Sequence, residues 1–225
     1  MRSKHQIFIT VPIPSRVPPE IVLAHIQTYT PMLANNNVIM SFKETTPNME
    51  LVSRDPFFGT PNSSVRTFSS SERLMLAPGL TRDRSWPVTC LSIPNGIRCR
   101  ADAKAGVTVR TEWIVRPRQE FGSSPSTTSS PGTLVEEWEL YEEVIIEANS
   151  LLMPFVARTA DEVHRGICQK VVDEVVNKYL AKVLLISWWS QSDWMSLLKV
   201  EDNNQSKLKD PSTATHLRLI SLVHQ

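Results

Sequence analysis

Two glutamates on the apolar face of a strand-like segment are the first candidates for acid–base chemistry. In LVEEWELYEEVIIE, apolar and charged residues alternate with the period of two that is typical of a half-buried strand. This period places Glu136 and Glu142 on the apolar face. The apolar members of that face are Leu134, Trp138, Leu140, Val144 and Ile146. Burial raises the pKa of a carboxyl group, which suits a general acid or base. We therefore predict a catalytic role for Glu142, with pairing to an arginine as the structural alternative; Glu136 lies near a strand end, where solvent reaches it.

A histidine beside a long apolar stripe is the second candidate. Apolar residues recur at helical spacing over residues 150–180. The stripe consists of Leu152, Val156, Ala160, Val163, Ile167, Val171 and Val175. His164 borders this stripe, one turn before Cys168, so its imidazole is placed to meet the interior and to exchange a proton near neutral pH. The alternative is a boundary histidine that only packs, and His25 on the first predicted helix is a further candidate.

The elements that must position these groups form a run of strands between two helical segments. A strand over Gln6–Ile13 precedes a helix that opens at Pro18. Pro31 and the Asn35–Asn37 run are expected to end or kink this helix. Further strands are predicted at 38–43, 64–75, 86–92, 97–104, 107–116 and 134–147. The Asn95-Gly96 pair predicts a hairpin. The turn-rich stretch 45–64 is predicted to be a loop, whose Phe57 and Phe58 either plug one mouth of the sheet or pack beneath the loop.

Two neighbouring strands each have a small or apolar face and a charged face. On the first, Ile97, Cys99, Ala101 and Ala103 alternate with Arg98, Arg100, Asp102 and Lys104. On the second, Val107, Val109, Thr111, Trp113 and Val115 alternate with Thr108, Arg110, Glu112 and Arg116. This alternation predicts a sheet with one face in the interior and the other in water.

Composition excludes several function classes. The chain has 225 residues, 41% of them hydrophobic, and a formal net charge of +1 from evenly spread charges, so we predict a packed core and no nucleic-acid partner. Three separated cysteines predict reduced thiols in the cytoplasm. The five histidines do not cluster with carboxylates, and there is no phosphate-binding glycine pattern, HExxH or GxSxG. We therefore predict no metal and no cofactor.

Four segments of the chain carry a family resemblance. They are IFITVPIPS, VLAHIQTYTPMLANNNVI, VTCLSIPNGIRCRADAKAGVTVRTEWIV and ELYEEVIIEANSLLMPFVARTADEVHRGICQKVV. Over residues 5–178 the chain resembles a fungal domain family of unknown function, which in turn resembles the START/polyketide-cyclase (SRPBCC, helix-grip) superfamily. The resemblance implies an α+β fold, in which a curved antiparallel β-sheet wraps around a long C-terminal α-helix and encloses an apolar cavity. It supplies no catalytic residues.

This fold predicts a ligand site and a domain division. The expected ligand-binding residues, for a hydrophobic small molecule, are Tyr29, Thr111, Trp113, Trp138, Leu140, Val156, Ala160, Val163 and Ile167. We predict a helix-grip domain at 1–182 and a Trp-rich extension at 183–225. The extension contains Trp188, Trp189 and Trp194. These tryptophans either pack on their own domain, form a homodimer contact or meet a membrane surface. Polar interruptions make the extension unsuitable as a transmembrane span.

Three functions remain open at this level. The first is a cofactor-free cyclase or isomerase of fungal secondary metabolism, which folds a polyketide- or terpenoid-like intermediate while Glu142, His164, Tyr29 or Thr111 places protons. The second is a carrier or sensor of an apolar metabolite. The third is an interaction protein that uses its Trp-rich tail. The family's expected metabolic setting favours the first.

Overall fold

The computed structural model describes the backbone of residues 1–77, 80–103, 106–118 and 137–207, and the side chains of 1–72, 83–103, 106–118 and 137–184. The chain divides into two compact units, Met1–Asn177 and Lys178–Gln225. Leu134 and Glu136 lie outside the described residues, and the side chains of Trp188, Trp189 and Trp194 lie outside the described side chains. Homodimer formation through these tryptophans stays a prediction. No helix in the described part is long and apolar enough to cross a membrane.

The described part of the first unit contains one antiparallel sheet of seven strands. The strands are β1 (Arg2–Ile13), β2 (Ser41–Thr45), β3 (Arg66–Ala77), β4 (Leu80–Ile93), β5 (Gly96–Ala103), β6 (Val107–Pro117) and β7 (Trp138–Asn149). Their order in the sheet is β1-β7-β6-β5-β4-β3-β2. The helices are α1 (Pro19–Ile26), α2 (Thr30–Ala34), α3 (Met49–Arg54) and α4 (Met153–Lys207), and a 3-10 turn covers Pro56–Phe58. The sheet's inner face, toward α4, is the one that carries Glu142, because His164 and Cys168 of α4 both contact this residue.

The predicted alternation of β5, β6 and β7 determines which residues form the core. On β7, Leu140, Glu142, Val144 and Ile146 are all fully buried. The apolar stripe of α4 is most completely buried in its second half, where Ile167, Val171 and Val175 are at most 3% exposed. Earlier in the helix, Val156, Ala160 and Val163 are half-buried and Leu152 is exposed.

The first helical segment is divided into α1 and α2 at Tyr29. Tyr29 has a φ of 62°, a left-handed conformation that is uncommon for a residue with a side chain. Its hydroxyl lies 2.8 Å from the carbonyl oxygen of Ser64, to which it donates, and 2.6 Å from Oγ of Ser92. These buried contacts hold Tyr29 in place, so the chain turns before Pro31 rather than at it.

The predicted loop at 45–64 contains α3 and the 3-10 turn, so the loop prediction was wrong there. The physical cause is local capping, since Asn48 accepts a hydrogen bond from the backbone N–H of Leu51, and Asp55 accepts one from that of Phe57. Phe58 is 1% exposed and belongs to a cluster with Val52, Val65 and Leu91. Phe57 and Phe58 therefore pack beneath this segment, as the second alternative predicted.

The charged outer face of the sheet is partly covered, whereas the sequence predicted it to face water. Arg100 of β5 and Arg110 of β6 lie directly opposite each other, which is unfavourable for like charges. Asp55 sits between them, with its Oδ2 2.6 Å from Arg100 Nη1 and 3.1 Å from Arg110 Nε. Burial raises the pKa of Asp55, but the Phe57 N–H and the two guanidiniums outweigh burial and lower this pKa below its usual value. A buried carboxylate thus joins the segment 49–58 to the sheet.

The predicted β4–β5 hairpin is confirmed, with Pro94 and Asn95 between its strands. Gly96 is already paired with Ile93 and begins β5. A Cβ atom on Gly96 would lie 1.7 Å from the carbonyl oxygen of Trp113. Only glycine therefore allows the β6 backbone to approach this closely, and that approach positions Trp113.

We expect Gly96→Ala to lower the free energy of unfolding by about 1–3 kcal/mol, because the added methyl group must push the β6 backbone away. Urea unfolding measures this change. The control is Gly166→Ala, since no atom lies within 4 Å of the Cβ position of this helical glycine. The control should gain up to about 1 kcal/mol from helix propensity. An unchanged unfolding midpoint for Gly96→Ala would contradict the close approach.

Candidate functional site

A cavity of about 180 Å³ opens on the inner face of the sheet. Its walls come from α2 and the residues after it, from β4, β5 and β6, and from α4. The lining residues are Met32, Leu33, Asn36, Ile39, Trp86, Val88, Cys99, Ala101, Ala103, Val109, Thr111, Trp113, His164 and Ile167. Most of these side chains are apolar, and the short ones on β5 leave the space that larger residues would fill. The small face predicted for β5 is thus one wall of the cavity.

Glu142 is a buried carboxylate on the inner face. Its side chain is 0% exposed, and it sits in β7 opposite Ile9 of β1 and Trp113 of β6. Its Oε1 lies 2.7 Å from Nδ1 of His164, and its Oε2 accepts a hydrogen bond from Sγ of Cys168 at 3.0 Å. A buried carboxyl group without partners is very unfavourable, and these two contacts give each of the two oxygens of Glu142 a partner. They take the place of the arginine that the structural alternative expected.

His164 connects the buried carboxylate with the cavity. Its side chain is 15% exposed and lines the cavity wall. Burial by itself lowers the pKa of His164, but the charge and hydrogen bond of Glu142, aided by the charge of Asp161, raise it above its ordinary value. The raised pKa extends the pH range over which His164 is an imidazolium, whose Nδ1–H donates to Glu142. The other ring nitrogen, Nε2, has no hydrogen-bond partner among the described residues, which leaves it for a molecule in the cavity.

The three cysteines, distant in sequence, are all buried and free. Cys90 and Cys99 are cross-strand neighbours in β4 and β5, while Cys168 contacts Glu142. Burial raises the pKa of Cys99 and Cys168 far above the usual value, and the negative charge of Glu142 raises both further. These thiols therefore stay protonated, and Cys168 serves as a hydrogen-bond donor. Sequence reasoning missed this role; the signal was the four-residue spacing of His164 and Cys168 on one helix face.

Trp113 contributes a buried donor without an acceptor. It lines the cavity and is 1% exposed, and its Nε1–H has no hydrogen-bond partner among the described residues. Leaving a buried donor unsatisfied costs about 1–3 kcal/mol. An acceptor that reaches this N–H would remove this cost.

The structure brings together some of the predicted site residues and separates others. His164, Thr111, Trp113 and Ile167 line the cavity, and Glu142 contacts His164 behind its wall. The predicted binding residues outside the lining are Tyr29, Trp138, Leu140, Val156, Ala160 and Val163. Lining residues that the sequence did not single out include Met32, Leu33 and Val88, which reach the cavity only through tertiary packing.

Two further predictions from sequence concern His25 and metal ions. His25 lies outside the cavity lining, and its Nε2 is 3.2 Å from Glu174, which joins α1 to α4. Within the described ranges, no three His, Cys, Asp or Glu side chains are grouped so as to hold a metal ion.

We expect the Glu142–His164 pair to make stability depend on pH. Because the pKa of His164 is raised in the folded state, the pair's contribution is fully present below the unfolded pKa of about 6.5 and is lost as pH rises through the folded pKa. Urea unfolding across this range should show the wild-type free energy of unfolding falling relative to that of His164→Gln. Replacement of the exposed His5 by Gln is the control and should follow the wild type. Parallel pH curves for wild type and His164→Gln would refute the coupling.

Comparison with known proteins places the chain in a family. A family model described as "Domain of unknown function (DUF7053)" matches residues 2–177. No curated protein matches the chain.

Three solved structures are similar to this chain at low sequence identity. The di-domain ARO/CYC StfQ from the steffimycin biosynthetic pathway is 7% identical with a TM-score of 0.50; the match covers 78% of this chain and 52% of that one. TTHA0849 from Thermus thermophilus is 10% identical with a TM-score of 0.49, covering 78% of this chain and 99% of that one. The di-domain ARO/CYC BexL from the BE-7585A biosynthetic pathway is 11% identical with a TM-score of 0.47, covering 76% and 49%.

The predicted helix-grip fold is confirmed by the curved antiparallel sheet, the long C-terminal helix and the likeness to StfQ. The match over residues 2–177 includes the sheet, the cavity and the Glu142–His164 pair. The chain therefore belongs to the DUF7053 family, a domain family of unknown function, and its structural neighbours are START/polyketide-cyclase-like proteins.

Proposed function

We propose that this protein is a cofactor-free cyclase or isomerase that transfers protons on a hydrophobic, polyketide- or terpenoid-like intermediate. The observation that carries the proposal is the 2.7 Å contact between Glu142 and His164, because it orients an ionisable imidazole on the wall of a mostly apolar cavity. A carboxylate that orients a histidine through Nδ1 leaves Nε2 for acid–base work on a ligand. The structure alone does not require such a group, since an apolar residue at 142 would fill the core at lower cost.

The chemistry follows from the protonation state of His164. As an imidazolium, it donates the proton of Nε2 to a carbonyl oxygen of the ligand. The resulting neutral imidazole then accepts a proton from the carbon beside that carbonyl, which leaves an enol and restores the imidazolium. Return of a proton at a different carbon gives an isomer of equal mass, whereas attack of the enol carbon on a second carbonyl closes a ring. Each step conserves atoms and needs no oxidant.

The cavity walls supply the other requirements of such a reaction. Apolar walls hold a flexible chain in a folded conformation and limit the access of water, both of which favour one product. The protonated thiols of Cys99 and Cys168 do not compete as nucleophiles, because only a thiolate attacks efficiently. Free, buried cysteines also fit the reducing cytoplasm that we propose as the location.

Likeness to StfQ supports a biosynthetic setting. StfQ is an ARO/CYC from a biosynthetic pathway and shares this fold. We propose that this chain has a related biosynthetic role, in fungal secondary metabolism.

A carrier or sensor of an apolar molecule is the second candidate. The cavity favours it, because a mostly apolar cavity binds ligands whether or not they react. In a carrier, His164 and Trp113 would only orient the ligand through hydrogen bonds. The two functions share the site and differ in whether a proton moves.

The test is incubation of the full-length protein in D2O buffer with an organic extract of its source cells, followed by native mass spectrometry of the complex and analysis of the released compound. We expect the wild type to release an isomer or a deuterated product. His164→Gln should form this product about 100-fold more slowly. His5→Gln is the control and should retain the wild-type rate. A compound that is bound and returned without rearrangement or deuterium contradicts the enzyme and supports the carrier. An extract that yields no bound compound contradicts both.

A further inference from the structure

We infer that the cavity takes a small, neutral molecule of one substituted ring or two fused rings, whose oxygen accepts hydrogen bonds from Trp113 and His164. This inference deepens the proposed function and rests on the same site, but it concerns binding and not turnover. Three observations carry it: the size of the cavity, the identity of its donors and the distribution of charge around it.

The volume of the cavity sets an upper limit on the ligand. At about 180 Å³ it is slightly larger than an engineered cavity of about 150 Å³ that binds benzene. It is well below the roughly 300–1,000 Å³ of pockets for drug-sized ligands. A substituted ring or a small fused pair therefore fits, whereas a sterol, a phospholipid or a long acyl chain does not fit within this volume.

The polar groups of the lining include one buried donor without an acceptor, in Trp113, and one ionisable group that can donate, in His164. The indole of Trp113 can only donate, and its N–H has no partner among the described residues. His164 has its Nδ1 committed to Glu142, and as an imidazolium it donates through Nε2 as well. A ligand oxygen near these two side chains, such as a carbonyl or an enol oxygen, satisfies what the protein leaves unsatisfied. A pure hydrocarbon does not.

The charges around the cavity favour a neutral ligand over an anion. Glu142 and His164 form a pair whose net charge is zero when His164 is protonated. Among the described side chains (1–72, 83–103, 106–118 and 137–184), none that lines the cavity is a lysine or an arginine. Because Glu142 already balances the charge of protonated His164, a ligand carboxylate or phosphate would bring a net negative charge into the site, which is strongly unfavourable where the groups are desolvated. Asp161 and the neutral thiols of Cys99 and Cys168 add no positive charge.

A matched pair of probes tests the inference by calorimetric titration of the full-length protein. The probes are 1-indanone and indane, which share a shape and differ by one carbonyl oxygen. We expect 1-indanone to bind about tenfold more tightly than indane, because the oxygen restores hydrogen bonds to buried donors. Oleic acid, which is long and anionic, should not displace 1-indanone. Equal binding of the two probes, or displacement by oleic acid, overturns the inference.

Two variants test whether the ligand oxygen accepts a hydrogen bond from Trp113. Trp113→Phe keeps an aromatic ring and removes the donor, so it should weaken 1-indanone binding about fivefold and leave indane binding unchanged. Trp86→Phe makes the same chemical change at another position in the cavity lining and should leave the preference for the ketone intact. A preference that survives Trp113→Phe unchanged contradicts the role of this indole. If Trp113→Phe does not fold, the ratio of the wild-type affinities for 1-indanone and indane still tests whether the cavity prefers a ligand with an acceptor oxygen.

A parallel measurement separates this inference from the proposed function. Deuterium exchange at carbon 2 of 1-indanone in D2O reports proton transfer at the carbon beside the carbonyl. Preferential binding with accelerated exchange supports both proposals. Preferential binding without accelerated exchange supports the ligand class and contradicts the enzyme. Absence of preferential binding contradicts the ligand class, whatever the exchange rate.

Discussion

The interior of this protein depends on the contacts of one buried carboxylate, that of Glu142. A charged group at 0% exposure survives only if its oxygens are paired, and both are, one with His164 and one with Cys168. Both partners come from one face of α4, so the pair fixes the position of the helix over the sheet. Removing one partner of a buried pair typically costs about 3–5 kcal/mol, which links the site to the stability of the fold.

Several features of the sheet serve this arrangement. The small side chains of β5 leave a cavity beside the pair, and Gly96 lets the β6 backbone come close enough to place Trp113 in the cavity wall. On the opposite face, Asp55 neutralises the facing Arg100 and Arg110 and attaches the segment 49–58 to the sheet. Among the described residues, the outer face has two buried carboxylates, Asp55 and Glu139, both paired with arginines. The buried carboxylate of the inner face, Glu142, is instead coupled to an ionisable group that reaches a cavity.

The sequence predicted the parts of this structure that depend on periodicity. The period of two in β5, β6 and β7 correctly placed Cys99, Thr111, Trp113 and Glu142 on the inner face, because strand geometry leaves no other choice. The helical period placed His164 at the edge of the apolar stripe. The hydrogen bond between Glu142 and His164 was not predictable, since the distance between them depends on how the helix crosses the sheet. The bridge at Asp55 was missed for a similar reason, because it depends on tertiary packing, whereas the cap at Asn48 is a local contact that the sequence could have indicated.

The ligand-binding residues show where periodicity stops being informative. Val156, Ala160 and Val163 belong to the same stripe as Ile167, yet only Ile167 lines the cavity. A stripe identifies the face of a helix that turns inward, but the sheet decides which part of that face meets an empty space. Tyr29 was predicted to bind the ligand, but it lies outside the cavity lining and its hydroxyl contacts Ser64 and Ser92.

A ¹⁵N NMR titration of the imidazole of His164, in the wild type and in Glu142→Gln, examines the buried pair without any ligand. In the wild type the pKa of His164 should lie above the ordinary value of about 6.5, with the Nδ1–H signal showing a strong hydrogen bond. In Glu142→Gln the pKa should fall below that of the wild type, because burial then acts without the opposing charge. A wild-type pKa below 6.5, or the same pKa in both proteins, would contradict the assignment of Glu142 as the charge that holds His164 ready for acid–base chemistry.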